Sequence, residues 1–253
     1  MSTYQIQNYA TLADIVKYVA RLVGYPVPTD PAGSNDPAVQ QMIAAANVAA
    51  DDMLNLYEWQ RLIKDYEISV VADFPGQLEK SFDLPGDFWQ FIDQTQWNKD
   101  TRLPAIGPVS AQAWQQIKIR MPKVVLTFLW QIRDQKLWIQ SPPSTPQAFS
   151  FYYMSQGWCI DADDPNTYKN EATKNGDRIL FNAYLMKLLT RVKWLEIKGF
   201  DSSAAMRDFL VSFENRKGDE IGAQVLSMAV NPGLPYLNVL TNAPDTGYGG
   251  VGY

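Results

Sequence analysis

Residues 82 to 97 break the periodicity of this chain, and that break limits its fold more than any other feature. The stretch reads Phe-Asp-Leu-Pro-Gly-Asp-Phe-Trp-Gln-Phe-Ile-Asp-Gln-Thr-Gln-Trp. Pro85 fixes its own φ and withholds a donor while Gly86 permits a turn, so a strand entering here must stop and re-aim. Six of the eight tryptophans (Trp89, Trp97, Trp114, Trp130, Trp138, Trp158) fall between this turn and residue 158. The middle of the chain is therefore expected to be a β-rich insertion in a helical frame.

The flanks carry the helical frame. Leu12, Ile15, Val16, Val19, Leu22 and Val23 have the spacing of one buried helix face, with Thr11 and Asp14 as a capping box and Gly24 and Pro26 as the stop. Asp36-Pro37 opens a second helix toward Trp59, whose alanines suit close approach to a neighbour. A third helix is expected over Arg178 to Lys198, capped by Asp177, apolar on most faces and hence central, and a fourth after Asp201 or Ser202. Between them, Tyr66 to Ala72, a return strand Leu78 to Phe82, a hairpin of Val124 to Ile132 with Leu137 to Gln140, and Gln147 to Ser155 read as strands, whereas 161 to 177 reads as loop. The fold class expected is α+β: an antiparallel helical bundle with an inserted β-rich domain and an extended C-terminal arm. Its parts are residues 1–64 and 159–230 for the two halves of the bundle, 65–158 for the insertion and 231–253 for the tail.

Composition narrows the chemistry. A chain of 253 residues with no histidine and a single cysteine, Cys159, cannot form an intramolecular disulfide and lacks the usual zinc and copper ligands. Serine-histidine and cysteine-histidine nucleophile pairs are excluded, so no catalytic, cofactor-binding or metal-binding residue is assigned. A formal charge of −5 argues against a grip on nucleic acid backbone. No apolar run is long enough to span a membrane, and the N-terminus has no signal-peptide character, so synthesis in a host cytoplasm is expected.

Three residue groups invite sharper readings. Asp83, Asp87 and Asp93 near Trp89 and Trp97 suggest a sugar cleft with paired carboxylates, against which stand turn capping by Asp87 and ordinary core tryptophans. Asp161, Asp163 and Asp164 resemble the start of a calcium loop, but the glycine and terminal glutamate are missing from their positions, which favours a solvated acidic loop. Phe88, Trp89, Phe91 and Trp97 are candidates for a subunit or tail interface, because aromatics are enriched at interfaces. Trp130 and Trp138 are expected inside a hairpin.

The order of these pieces resembles the head-to-tail adaptor, or connector, family of tailed bacteriophages, which includes the tail tubular protein A of short-tailed phages. The resemblance is carried by Val23-Gly24-Tyr25-Pro26-Val27-Pro28 after the first helix, by Tyr57-Glu58-Trp59 closing the second, by Leu84-Pro85-Gly86-Asp87-Phe88 and by Lys198-Gly199-Phe200-Asp201 between the last two helices. It implies a virion structural protein: a homo-oligomeric ring of about twelve copies below the portal protein, a tail or nozzle protein beneath, and a channel passing double-stranded DNA without specific binding. The glycine-rich C-terminus then reads as an arm docking on the portal through Tyr236, Leu237, Val239, Leu240, Tyr248, Val251 and Tyr253, and Glu214, Asp219 and Glu220 become channel-facing candidates beside Arg216 and Lys217. The alternatives are a tail-tube or tail-terminator protein and a tryptophan-rich carbohydrate-binding module.

Overall fold

The structure, a computed structural model, describes residues 9–120, 127–221, 237–238 and 243–244. Its first half carries α1 (Leu12–Leu22), α2 (Pro37–Leu56), β1 (Ile63–Val70), β2 (Glu79–Asp83), β3 (Phe88–Phe91), β4 (Trp97–Asn98), β5 (Leu103–Pro104) and α3 (Ala111–Arg120). Its second half carries β6 (Leu129–Arg133), β7 (Lys136–Gln140), β8 (Gln147–Ser155), β9 (Cys159–Ile160), β10 (Tyr168–Lys169), β11 (Arg178–Ile179), α4 (Ala183–Ile197), α5 (Ser203–Ile221), β12 (Leu237–Asn238) and β13 (Ala243–Pro244). Packing divides the chain between Glu214 and Asn215. Beyond that boundary the described residues are the end of α5 and the antiparallel pair β12–β13.

α1 begins as its capping box dictates, with Thr11 Oγ1 accepting from Asp14 N at 3.2 Å and Asp14 Oδ2 accepting from Thr11 N at 3.3 Å. Its buried face of Leu12, Ile15, Val16 and Val19 contributes roughly 1.5–3 kcal/mol per side chain. α2, capped by Asp36, turns Ala45, Ala46, Ala49 and Ala50 inward, and these small residues let it lie close against α4. α4 is capped by Asn182 and ends at Gly199, whose φ of +71° is a left-handed conformation that favours glycine.

The chain is α+β, but the expected antiparallel helical bundle is not what the helices form. A bundle core is made of helix faces alone. Here the core shared by α1, α2, α4 and part of α5 is completed by Met154 of β8, by Trp158, and by Cys159 and Ile179 of a small sheet ordered β10-β9-β11. Of that sheet, β9 precedes the segment expected to be loop, β10 lies within it and β11 takes the first turn expected of the third helix. Strand pairing of Arg178–Ile179 with Cys159–Ile160 takes those residues out of the helix, so α4 starts five residues later, at Ala183.

The β-rich middle contains two further sheets. One places β8 at its centre, with β1 along one side and β3 and β4 in succession along the other, and β5 beyond β4. The other is ordered β2-β7-β6. Its β6–β7 hairpin turns through Asp134 and Gln135, both left-handed at φ 52° and 58°, the conformation a tight hairpin of this hand requires. The strand expected to return beside β1 pairs with β7 in this second sheet. Phe149, Phe151 and Tyr153, alternate residues of β8, face Trp130, Leu137 and Ile139 across the aromatic core between the sheets. The segment 106–109 runs along β6 so closely that a Cβ on Gly107 would lie 2.5 Å from the Trp130 carbonyl oxygen.

α3 falls within the segment expected to be a β-rich insertion. Among the described side chains of this helix only Trp114 is buried, so no apolar stripe marks it in sequence. Its position comes from Glu79 of β2, which accepts from Trp114 Nε1 at 2.9 Å and from Lys118 Nζ at 3.0 Å. Among the described residues no helix is long and apolar enough to cross a membrane.

Candidate functional site

Phe149, Phe151 and Tyr153 of β8 enter the aromatic core, and Ser150 and Tyr152 between them face the opposite side of the sheet. The partners in register on that side are Trp97 of β4, opposite Ser150, and Asp65 of β1, opposite Tyr152. Together they floor a groove of about 590 Å³, walled by Gln94, Thr95, Asn98, Lys99 and Arg102. Trp97 remains 42% exposed and Tyr152 49%, so two aromatic planes are open to solvent in one depression.

The backbone holding these residues is stiffly braced. Thr95 Oγ1 accepts from Tyr152 N at 3.1 Å and donates to the Ile92 carbonyl at 2.7 Å. Asn98, almost fully buried, donates to Gln147 Oε1 at 2.8 Å and accepts from Asp100 N and Thr101 N. Gln94 and Arg102, one on each side of β4, are both left-handed, at φ 61° and 57°. Both sit in tight turns, where non-glycine residues enter that region at a cost of order 1 kcal/mol each.

Within this braced frame the groove's polar groups divide into committed and uncommitted ones. Lys99 is taken by Glu67, which holds its ammonium above the ordinary lysine range. By contrast, the Asp65 carboxylate, the Gln94 amide, the Arg102 guanidinium, the Trp97 indole N–H and the Tyr152 hydroxyl have no hydrogen-bond or ion-pair partner among the described residues. Exposed aromatic planes beside a guanidinium and a carboxylate are groups that can stack on and hydrogen-bond a partner.

The interface candidates separate into two kinds. Trp97 floors the groove, whereas Trp89 sits at the β-bulge between Phe88 and Gln90, which aims it outward at 41% exposure away from the groove lining. Phe88 and Phe91 turn inward instead, their ring centroids 5.8 Å from Tyr153 and 4.7 Å from Trp130 respectively. Trp130 is buried and Trp138 half-buried, with the Arg133 guanidinium 3.8 Å over its ring.

The carboxylates proposed for a sugar cleft are not assembled into one. Asp83 pairs with Lys136, and Asp93 is exposed. Asp87 accepts from Lys64 Nζ at 2.6 Å, Ser155 Oγ at 2.7 Å and Tyr153 Oη at 2.9 Å, fastening the turn to β1 and β8. Burial raises its carboxyl pKa, but these three donors outweigh burial and hold it below the ordinary range.

The acidic segment 161–177 is satisfied internally. Asp161 binds Lys169 at 2.8 Å and Lys174 at 3.0 Å, and its carboxyl lies far below the ordinary range because of Lys169 first, then the Asp163 N–H and Lys174. Asp177, fully buried, accepts from Lys169 Nζ and from the N–H groups of Ala162, Thr173 and Lys174 at 2.7–3.0 Å. Sequence reasoning missed this hub. Its one signal was a pair of lysines, Lys169 and Lys174, within a run of aspartates. Cys159 beside it is buried, and burial, aided by the Asp177 charge, pushes its thiol up to about 12.

Of the channel-facing candidates, Glu214 is exposed on α5, and the side chains of Asp219 and Glu220 lie outside the described residues. Of the arm residues, Leu237 contributes backbone to β12, while Tyr236, Val239, Leu240, Tyr248, Val251 and Tyr253 lie outside the described residues. Compared with protein-family models and with curated proteins, the chain matches none.

Proposed function

We propose that this chain is a structural head-to-tail adaptor of a tailed bacteriophage, working by association: copies form a ring under the portal, continue the DNA channel and present a platform to the tail. The observation that supports it best is the braced outer sheet face with Trp97, Tyr152 and a free Arg102, since aromatic and arginine side chains are the usual anchors of protein interfaces. The order of elements along the chain, which resembles that family, supplies the rest. In this reading the sheet face meets the tail or a neighbouring copy and the C-terminal arm meets the portal.

Immunogold electron microscopy of gradient-purified particles tests the proposal. Gold at the single vertex between head and tail is expected. Gold along the tail transfers the chain to the tube or terminator reading, and particles without gold sink both. Truncation after Val230 is expected to abolish attachment to the portal while leaving the fold intact, and unchanged attachment removes the docking arm.

The same groove favours a second reading, glycan binding, because exposed Trp97 and Tyr152 stand beside the hydrogen-bonding Asp65, Gln94 and Arg102. A glycan array decides it: a signal abolished by Trp97→Ala supports this reading, and a silent array removes it.

A further inference from the structure

Charge is distributed unevenly over this acidic chain. On α1, Asp14, Lys17, Tyr18 and Arg21 recur at helical spacing on one face, and Lys187 of α4 joins them around a pocket of about 270 Å³ that Tyr9 also lines. Three cations therefore meet one carboxylate, in a chain whose net charge is −5. That carboxylate is occupied, because Asp14 Oδ2 accepts from the backbone N–H and the hydroxyl of Thr11. Asp30, the other acid that feels Lys17, is held by Asn175 and the Gly33 N–H. Among the described residues Lys17, Arg21 and Lys187 have no ion-pair partner. Lys187 Nζ stands 5.2 Å from the Tyr18 ring centroid, and Arg61 adds positive charge at the Tyr9 end, 5.8 Å from that ring.

Elsewhere in the described chain, lysines cluster around carboxylates: Lys64 with Asp87, Lys118 with Glu79, Lys169 with Asp161 and Asp177, and Lys193 with Asp52. Lys17, Arg21 and Lys187, converging on one pocket without an ion-pair partner among the described residues, can be answered together by an anion from outside. From this geometry we infer that the α1–α4 pocket is a seat for a phosphate group. The volume suits one tetrahedral anion with its water, and two ammonium groups and a guanidinium supply charge-assisted bonds, with the Tyr18 hydroxyl as a further donor. The phosphate is either free in solution or part of a nucleic acid backbone. The inference does not depend on the adaptor reading.

The test uses the full chain and two probes, inorganic phosphate followed by calorimetry and a short labelled DNA duplex followed by anisotropy at low and moderate salt. Binding of phosphate alone assigns a small free anion. Binding of both, with duplex affinity falling as salt rises, assigns a backbone phosphate, and the slope of log affinity against log salt then shrinks by about 0.9 for each cation removed. In either case Lys17→Gln with Arg21→Gln is expected to weaken binding about tenfold per cation. Arg207→Gln, which removes an exposed cation from α5, is expected to leave binding in place. Both cations changed on α1 reach solvent, so the double variant is expected to keep the wild-type melting temperature. Binding of neither probe by the folded wild-type chain overturns the inference, as does undiminished binding in the double variant or equal loss in Arg207→Gln.

Discussion

The segment from Asp161 to Asp177 and the outer face of the five-stranded sheet are both rich in charge, yet they treat it in opposite ways. In the first, Asp161 and Asp177 are answered by Lys169, Lys174 and backbone N–H groups of the same segment. In the second, Asp65, Gln94 and Arg102 line a groove with no hydrogen-bond or ion-pair partner among the described residues, although the residues just beneath them are densely hydrogen-bonded. What separates a structural polar cluster from a recognition surface here is whether its groups are satisfied from within. The number of charges does not.

Removing Asp177 should break the first region most severely. Asp177→Ala leaves Lys169 with Asp161 alone and strands three backbone donors, and at about 1–3 kcal/mol for each buried group left unsatisfied it is expected to cost about 3–5 kcal/mol in urea unfolding. Asp65→Ala in the groove is expected to stay within about 0.5 kcal/mol of wild type. Similar losses from the two would erase the contrast. Asp87→Ala falls between them, at about 1–3 kcal/mol, because it orphans the Tyr153 and Ser155 hydroxyls as well as Lys64.

Acid titration sharpens the same contrast. Asp161, Asp177 and Asp87 all have folded pKa values below their ordinary values. Their contribution is therefore fully present above the unfolded carboxyl range near about 4 and disappears as the pH falls through the depressed folded values. Unfolding midpoints in urea should fall steeply below that range in wild type and less steeply in Asp177→Ala. Parallel profiles would show that this carboxylate does not bear the acid sensitivity.

The smallest stability effects belong to the groove. Trp97→Ala is expected to lower stability by no more than about 1 kcal/mol, since the ring is largely outside the core, while abolishing partner binding in a pull-down of purified components. Arg102→Gly relieves a left-handed residue and is expected to leave stability unchanged or raise it by up to about 1 kcal/mol, again with binding lost. A large loss of stability in either variant would make these residues part of the scaffold.

Much of the frame was legible along the chain. The capping box at Thr11, the Asp36-Pro37 start, the Gly199 stop and the Gln147 to Ser155 strand are short-range signals that the structure uses as read. The reading failed where long-range pairing competes with local preference. Arg178 and Ile179 fit a helix by spacing but are claimed by β9, and α3 has no stripe because Trp114 and Glu79 hold it in place of a buried face. The candidate site was half visible. Trp97 stood out as an aromatic beyond a turn, but neither Tyr152 nor Asp65 could be joined to it, since they come from strands some 55 and 32 residues away and meet only through the register on β8.

By itself, the sequence determined the starts of α1 and α2, the stop of α4, the α+β class, the aromatic middle and the absence of histidine chemistry, because each depends on residue identity or on neighbours within a few positions. Tertiary structure alone decided that a small sheet completes the helical core, that Asp87 and the buried Asp177 are hydrogen-bonded anchors, and which polar groups stay free on the outer face. Those outcomes follow from which distant groups come within hydrogen-bond reach, and in a folded chain that is set by packing and strand register.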